Sequence, residues 1–334
     1  MKASFYTELP DNAVKCSLCP HNCIIKPGHI GICRVRSNKS GELVTENYGK
    51  LSAIHTDPVE KKPLYHFYPG SKILSVGSVG CNMQCNFCQN CEISQTGVSE
   101  FGNLYDYSPD KLLDEAFKIT DSIGIAYTYN EPTVFYEFML ESACISHQAG
   151  LKNVMVTNGF IEENPLHELL PFVDAFNVDL KAFSNEFYKK YTHSQVAPVL
   201  NALKIICKEN RHLEITFLII PGLNDDAKLF REMISWIVNE LGDSTILHLS
   251  KYFPRYKSTE PPTSTETLKE FYEIGRESIH YVYVGNVNGP EDWQNTFCKN
   301  CHSMVIERTG YFTSAKGIDR NGNCKNCGTS VAVM

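Results

Sequence analysis

Gly77-Ser78-Val79-Gly80-Cys81-Asn82-Met83-Gln84-Cys85-Asn86-Phe87-Cys88 follows on the apolar run Lys72–Gly77 and spaces its cysteines as Cys-x3-Cys-x2-Cys. Further short runs of β-branched and apolar residues occupy Gly124–Thr128, Asn153–Thr157, Ala175–Leu180, Leu213–Ile219, Thr245–Ser250 and Tyr281–Gly285. Helical patterns lie between them. Ser108-Pro109-Asp110 offers a capping serine and a proline at the first helical position, after which Leu112, Leu113, Ala116 and Phe117 share one face. Ala227–Leu241 has the same amphipathic pattern. Strands alternating with helices predict βαβ units and a parallel sheet, an α/β fold. Six or seven such units suit a full or partial barrel better than a short open sheet. In sheets of this kind chemistry gathers at the C-terminal strand ends, which is where the Cys81 loop falls.

The composition is that of a globular chain. Of 334 residues, 43% are hydrophobic and 21% charged, which excludes a disordered or fibrous protein and allows one large core with smaller satellites. The apolar run ending at Ile220 stops at Pro221-Gly222, well short of the ~20 residues a membrane span needs. Met1-Lys2-Ala3-Ser4-Phe5 leads into Glu8 and Asp11 with no apolar signal-peptide core, so a cytoplasmic protein is expected. Lys and Arg total 31 against 38 Asp and Glu, a net charge of −7 that argues against a nucleic-acid surface. The 14 cysteines are the informative count. Without a secretion signal they point to metal or cluster ligation rather than disulfides.

Cys144 and Cys207 stand alone in apolar-periodic stretches and read as small core residues; the other cysteines form three groups. These suggest an N-terminal metal-binding extension over residues 1–50, a catalytic domain over 51–290 and a C-terminal module over 291–334. In the middle group Cys81, Cys85 and Cys88 can hold three irons of a [4Fe–4S] cluster, leaving the fourth iron open for a substrate or cofactor. Cys91 offers a competing reading, a fourth ligand that would make an electron carrier; a zinc site is another. Cys298-x2-Cys301 and Cys324-x2-Cys327 form two knuckles of a zinc ribbon, with Met304–Arg308 and Gly310–Thr313 able to pair as strands between them. Cys16, Cys19, Cys23 and Cys33 also offer four thiolates, for structural zinc or a second cluster, with His21 and His29 nearby and Pro20 after Cys19 giving a ferredoxin-like touch.

The Cys81–Cys88 phrase, with an aromatic residue just before its third cysteine, resembles the signature of the radical S-adenosylmethionine (SAM) superfamily. The wider chain resembles the radical SAM proteins of the AmmeMemoRadiSam system, relatives of the pyruvate formate-lyase activating enzymes. That likeness rests on Cys16-Ser17-Leu18-Cys19-Pro20-His21-Asn22-Cys23, Gly28-His29-Ile30-Gly31-Ile32-Cys33, the block Asp57–Phe67, Cys88-Gln89-Asn90, Tyr281–Val287 and the C-terminal cysteines. One departure is Lys251-Tyr252-Phe253-Pro254, where the family carries Arg-Phe-His-Pro.

The resemblance implies a partial (β/α)6 barrel with a [4Fe–4S] cluster and SAM, and cleavage of SAM to a 5′-deoxyadenosyl radical that takes hydrogen from a substrate. It implies a reductant such as ferredoxin or flavodoxin, and Memo-like and AMMECR-like proteins as partners. Tyr129-Asn130-Glu131-Pro132 stands where such enzymes meet the SAM amino group through backbone carbonyls in a Gly-Gly-Glu-Pro-like segment. Thr157-Asn158-Gly159 is a polar turn able to bond a small ligand. Asn177, Asp179 and Lys181 alternate onto one strand face. Asp179 and Lys181 form either a mutual ion pair or, by analogy with the activating enzymes, a clamp on zwitterionic SAM. His248 is a further candidate SAM contact, or a satisfied core histidine. The charged block Asp57–Phe67 is either a surface loop with internal ion pairs or a lid facing substrate. An RNA-binding zinc protein is a third functional class, disfavoured by the net charge.

Overall fold

The computed structural model describes residues 1–287 and 289–334. The apolar runs become strands because buried β-branched residues fit a pleated surface covered on both sides. They are β2 (Lys72–Gly77), β3 (Ser122–Tyr127), β4 (Lys152–Thr157), β5 (Ala175–Asp179), β6 (His212–Ile219), β7 (Ile246–Lys251) and β8 (Tyr281–Gly285), all parallel and each beside its predecessor. An antiparallel strand, β1 (Ala53–Pro58), adds to the β2 edge, so β1 and β8 are the two edges of an eight-stranded sheet. The seven parallel strands are the seven apolar runs of the sequence. Gly124 sits where β3 shifts register against β2: at φ +151°, a Cβ there would stand 1.9 Å from the Lys152 carbonyl oxygen.

Helices fill the crossovers as α1 (Pro109–Phe117), α2 (Tyr136–Gln148), α3 (Glu163–Leu169), α4 (Val196–Lys208), α5 (Ala227–Leu241) and α6 (Thr265–Arg276). The Ser108 hydroxyl accepts from the Lys111 N–H, and Asp226 caps α5 through the N–H groups of Lys228 and Leu229. Phe117 departs from the expected face: Leu112 and Ala116 are buried, whereas Phe117 is exposed at the helix end. No helix among the described residues is long and apolar enough to cross a membrane.

The N-terminal segment carries the strands Tyr6–Glu8, Val14–Cys16 and Ile24–Ile25 and the hairpin Arg36–Lys39 with Glu42–Thr45. Its Val14, Leu18 and Ile25 belong to the same apolar core as the main sheet. Arg36, 1% exposed, meets Glu137 of α2 through two bonds of 2.9 and 3.3 Å, and the Ser4 N–H donates to the same carboxylate at 2.7 Å. The C-terminal module instead has its own small core of Cys298, Val305, Ile306, Ile318, Cys324 and Val331. There β9 (Thr296–Phe297), β10 (Met304–Thr309) and β11 (Phe312–Ser314) form an antiparallel sheet, with Arg308 opposite Thr313. It docks on the Asp57–Phe67 block: Val333 pairs with Phe67, His66 Nδ1 lies 2.6 Å from the Val331 carbonyl, and an Arg308 nitrogen donates to the Tyr65 carbonyl at 2.6 Å. This block is therefore a packed joint and not a surface loop, with Val59, Glu60, Leu64 and Phe67 buried.

Two outcomes follow from these joints. Glu137→Ala strands a buried guanidinium and is expected to cost about 3–5 kcal/mol in urea unfolding, while Lys118→Ala, which breaks an exposed pair with Glu115, leaves the midpoint unchanged. Burial holds the His66 imidazole at a pKa of about 4 against an ordinary 6.5, although Glu214 and the Val331 carbonyl favour its charged form. A depressed histidine keeps full stability above pH 6.5 and loses it as pH falls toward 4, by about 3 kcal/mol for the whole shift. Urea midpoints measured across that window are expected to fall in the wild type and to flatten in His66→Gln; parallel curves would exclude this role.

Candidate active site

The C-terminal ends of the parallel strands surround a solvent-open cleft. Cys81, Cys85 and Cys88 line it. Their loop is fixed from both sides before any ligand binds. Gly80 turns at φ +85°, and a Cβ there would stand 2.5 Å from the Cys33 carbonyl oxygen, so only glycine lets the N-terminal segment lie on the loop. Asn130, at the end of β3, accepts from the Ser78 N–H at 3.0 Å and donates to the Gly80 carbonyl at 2.9 Å. Asn158, at the end of β4, donates to Asn82 Oδ1 at 2.9 Å and lies 3.8 Å from the Cys81 sulfur.

Tyr129, Glu131 and Thr157 also line the cleft. Tyr129 adopts φ +71°, a left-handed conformation natural to the glycine of the related motif and strained for tyrosine. What holds it is its side chain. The phenol donates to Asp57 Oδ2 at 2.6 Å, and the Lys62 ammonium lies 4.6 Å from the ring centroid. Asp57 in turn binds Lys61 and Lys62 at 2.8 and 2.7 Å. Burial would raise the Asp57 pKa, but these two ammonium groups and the Tyr129 hydroxyl outweigh it and hold the carboxyl well below its usual range. The Tyr129 carbonyl accepts from Asn90 Nδ2 at 2.6 Å, which leaves one lone pair for a ligand.

Glu131 is spent on the protein. Its Oε1 accepts from the Thr133 N–H, the Thr133 hydroxyl and the Thr157 hydroxyl at 3.0, 2.6 and 2.7 Å, and its Oε2 accepts from the Asn158 N–H at 2.8 Å. Burial still raises its pKa, against those donors. Asp179 and Lys181 do form an ion pair, 3.0 Å long, at the end of β5 and on the cleft wall. Burial disfavours the Lys181 ammonium, yet Asp179 and the neighbouring Cys85 prevail and lift its pKa above the ordinary value. Asn224, from the Pro221-Gly222 turn, donates to the Lys181 carbonyl at 2.8 Å and fixes the pair's position.

His248 is placed elsewhere. It is buried, with Nε2 2.5 Å from Glu214 Oε2, and lines a neighbouring cavity instead of the cleft. Glu214 also takes the Tyr65 and His66 N–H groups and meets His212 Nε2 at 2.8 Å. Burial opposes its charge, but both histidines keep its pKa well below normal. Of the two readings of His248, a SAM contact or a satisfied core histidine, the side chain is placed in the second, because Glu214 lies beside it on the adjacent strand. At the Lys251-Tyr252-Phe253-Pro254 departure, the Phe253 carbonyl accepts from Gln89 Nε2 at 3.1 Å. Asp57, Lys61, Lys62, Asn82 and Asn90 were not singled out as site residues by sequence, since only folding joins them to the cleft.

None of the fourteen cysteines forms a disulfide. The donor set in the cleft is three thiols and no fourth: Cys91 begins the short helix Cys91–Ser94 and is not among the lining residues. Burial pushes the Cys85 thiol up to about 12, so binding there must displace protons, and Lys181 offsets the thiolate charge. Three thiolates beside an open cleft fit a [4Fe–4S] cluster with one iron left accessible. The C-terminal quartet is different. All four sulfurs of Cys298, Cys301, Cys324 and Cys327 lie within 4.8 Å of one another, with pairs at 3.5 and 3.6 Å. That is close to the ~3.8 Å expected around one tetrahedral ion with metal–sulfur bonds of about 2.3 Å.

Residues 75–234 match the radical SAM superfamily. An uncharacterised protein of Methanocaldococcus jannaschii is 42% identical over 100% of this chain and 99% of its own length. The (2S)-3-sulfopropanediol dehydratase activating enzyme of Klebsiella oxytoca is 25% identical over 36% of this chain and 38% of its own. A radical SAM methyltransferase from Sphaerobacter thermophilus shares the fold, with a TM-score of 0.53 and 18% identity over 67% of this chain and 68% of that one. The matched segment spans the cysteine loop and the strand ends that form the cleft, and the chain belongs to the radical SAM superfamily of enzymes.

Proposed function

We propose that this enzyme binds a [4Fe–4S] cluster through Cys81, Cys85 and Cys88, binds SAM at the open iron, and abstracts hydrogen from a segment of a partner protein. The observation that carries the reading is the juxtaposition, on one cleft, of three thiols without a fourth and the Asp179–Lys181 ion pair. The bound cofactors supply reductive cleavage of SAM to methionine and a 5′-deoxyadenosyl radical. The chain's own residues hold them. Asp179 would hold the SAM ammonium and Lys181 its carboxylate, exchanging their mutual pair for two with the ligand. The free lone pair of the Tyr129 carbonyl would accept a further hydrogen bond from that ammonium. Asn130, Glu131, Thr157 and Asn158 act one step back, as positioning residues for the loop and the strand ends.

The cleft is open to solvent and runs into the neighbouring cavity, the two sharing Lys61, Ser250 and Asn286 in their walls, so a segment of polypeptide can lie across both. An activase-like reaction on a glycyl-radical or similar protein accords with the activating enzymes among its relatives. The Memo-like and AMMECR-like proteins tied to the AmmeMemoRadiSam resemblance are candidate partners, and ferredoxin or flavodoxin a candidate reductant. The C-terminal quartet takes zinc, with residues 291–334 as a separate module, 51–290 the catalytic domain and 1–50 the N-terminal extension. Free thiols throughout the chain suit a reducing compartment such as the cytoplasm.

The test is formation of 5′-deoxyadenosine from SAM under dithionite in anaerobically reconstituted protein. Wild type and Cys91→Ser are expected to form it. Cys81→Ser, Cys85→Ser and Cys88→Ser are each expected to lose it, and Asp179→Asn to lower it at least tenfold at limiting SAM. Loss of iron in Cys91→Ser, with no deoxyadenosine from wild type, would favour an electron carrier instead.

A further inference from the structure

The N-terminal cysteines take no part in the site described above, yet the fold gathers them. Cys16, Cys19, Cys23 and Cys33 all line one small chamber, walled mainly by apolar residues such as Leu18, Ile25 and Val134. The chain reaches this arrangement from four separate places: the end of a strand, two turns and the loop before Val35. The buried Arg36 also lines the chamber, a cation beside the four thiols.

The spacing of the sulfurs separates two kinds of metal centre. Among the described residues the Cys298 quartet is the one group of three or more Cys, His, Asp or Glu whose ligand atoms all lie within 4.8 Å of one another. No three of the four N-terminal sulfurs meet that spacing, although all four face the same chamber. One tetrahedral ion draws its sulfurs to about 3.8 Å. An iron–sulfur cube, whose irons and sulfides occupy the space between the thiolates, holds them farther apart. A chamber between dispersed thiols suits the cube.

The chamber also touches the radical centre. Asn82, the residue after Cys81, lines it, and its carbonyl lies 2.7 Å from His21 Nε2. The Cys33 carbonyl rests on Gly80, the residue before Cys81. On the outer side Ile32 is both a wall of the chamber and 41% exposed, so only one side chain separates the interior from solvent there.

We propose that Cys16, Cys19, Cys23 and Cys33 bind a second, fully ligated [4Fe–4S] cluster that passes electrons to the one held by Cys81, Cys85 and Cys88. An external low-potential carrier of the flavin or iron–sulfur class gives one electron, the N-terminal cluster goes from the 2+ to the 1+ state, and it returns to 2+ as the electron moves on. No bond or proton changes hands. The binding half stands on its own; the relay half rests on the function proposed above.

Iron, sulfide and zinc analysis of anaerobically reconstituted protein tests the binding half. About eight iron, eight sulfide and one zinc per chain are expected, since each cube carries four irons. About four iron and two zinc would overturn it. The triple variant Cys81→Ser/Cys85→Ser/Cys88→Ser is expected to keep about four irons and a reduced signal indifferent to SAM, whatever the fate of the proposed function. Loss of all iron in that variant, while it remains folded by circular dichroism, would also overturn the proposal. For the relay, Cys19→Ser/Cys23→Ser is expected to form deoxyadenosine normally with dithionite but at least tenfold more slowly with reduced flavodoxin. Equal rates with both reductants would leave the cluster without that role and refute it.

Discussion

The site depends on how tightly the short loop ahead of Cys81 is held. A thiolate loop carrying a cluster cannot wander, because the accessible iron must face the cofactor to within a fraction of an ångström. Here one side chain does most of the holding: Asn130 bonds the backbone on both sides of Val79, while Asn158 ties down Asn82. Glu131 then locks Asn158 and Thr157 to the end of β3. Polar side chains at three successive strand ends thus form one network, and its members are buried because each is satisfied by another. An unpaired group in that position would cost several times what a single bond returns.

This division of labour was only half legible in the sequence. Residue type and spacing were enough to place the seven parallel strands within about two residues, since hydrophobic runs report burial directly. The same was true of the Ser108 cap, which is local, and of the Cys298 knuckles. What the pattern could not show was which polar residue serves the ligand and which serves the chain. Asn130 and Glu131 sit in the motif, yet their side chains are used up internally. His248 is absorbed by Glu214, a residue 34 positions away, and the Asp57–Phe67 block is a joint for a module more than 200 residues later. Such pairings are set by strand order, which no local periodicity encodes. Phe117 departs from that face for a simpler reason: it falls at the last position of its helix and is exposed there.

Tyr129 shows how a fold can hold a geometry that glycine would adopt more easily. Its backbone is left-handed at φ +71°, and Asp57 and Lys62 anchor its side chain. Strain of this sort costs on the order of 1–3 kcal/mol and survives only when neighbours impose it. The anchors come from the same segment that docks the C-terminal module, so the cleft and the distal cysteine module are joined through one stretch of chain. The two outer cysteine groups also differ in kind: one is drawn close enough for a single ion, the other lines a chamber beside the cysteine loop.

The most direct measurement is the electron paramagnetic resonance spectrum of the dithionite-reduced protein, recorded with and without SAM. Because the N-terminal cluster would add its own signal, it is best taken on Cys19→Ser/Cys23→Ser. The account predicts a reduced [4Fe–4S] signal whose g values shift when SAM is added, as the cofactor occupies the open iron. A cluster signal that ignores SAM at saturating concentration would contradict it, since the fourth position would then be filled from the protein.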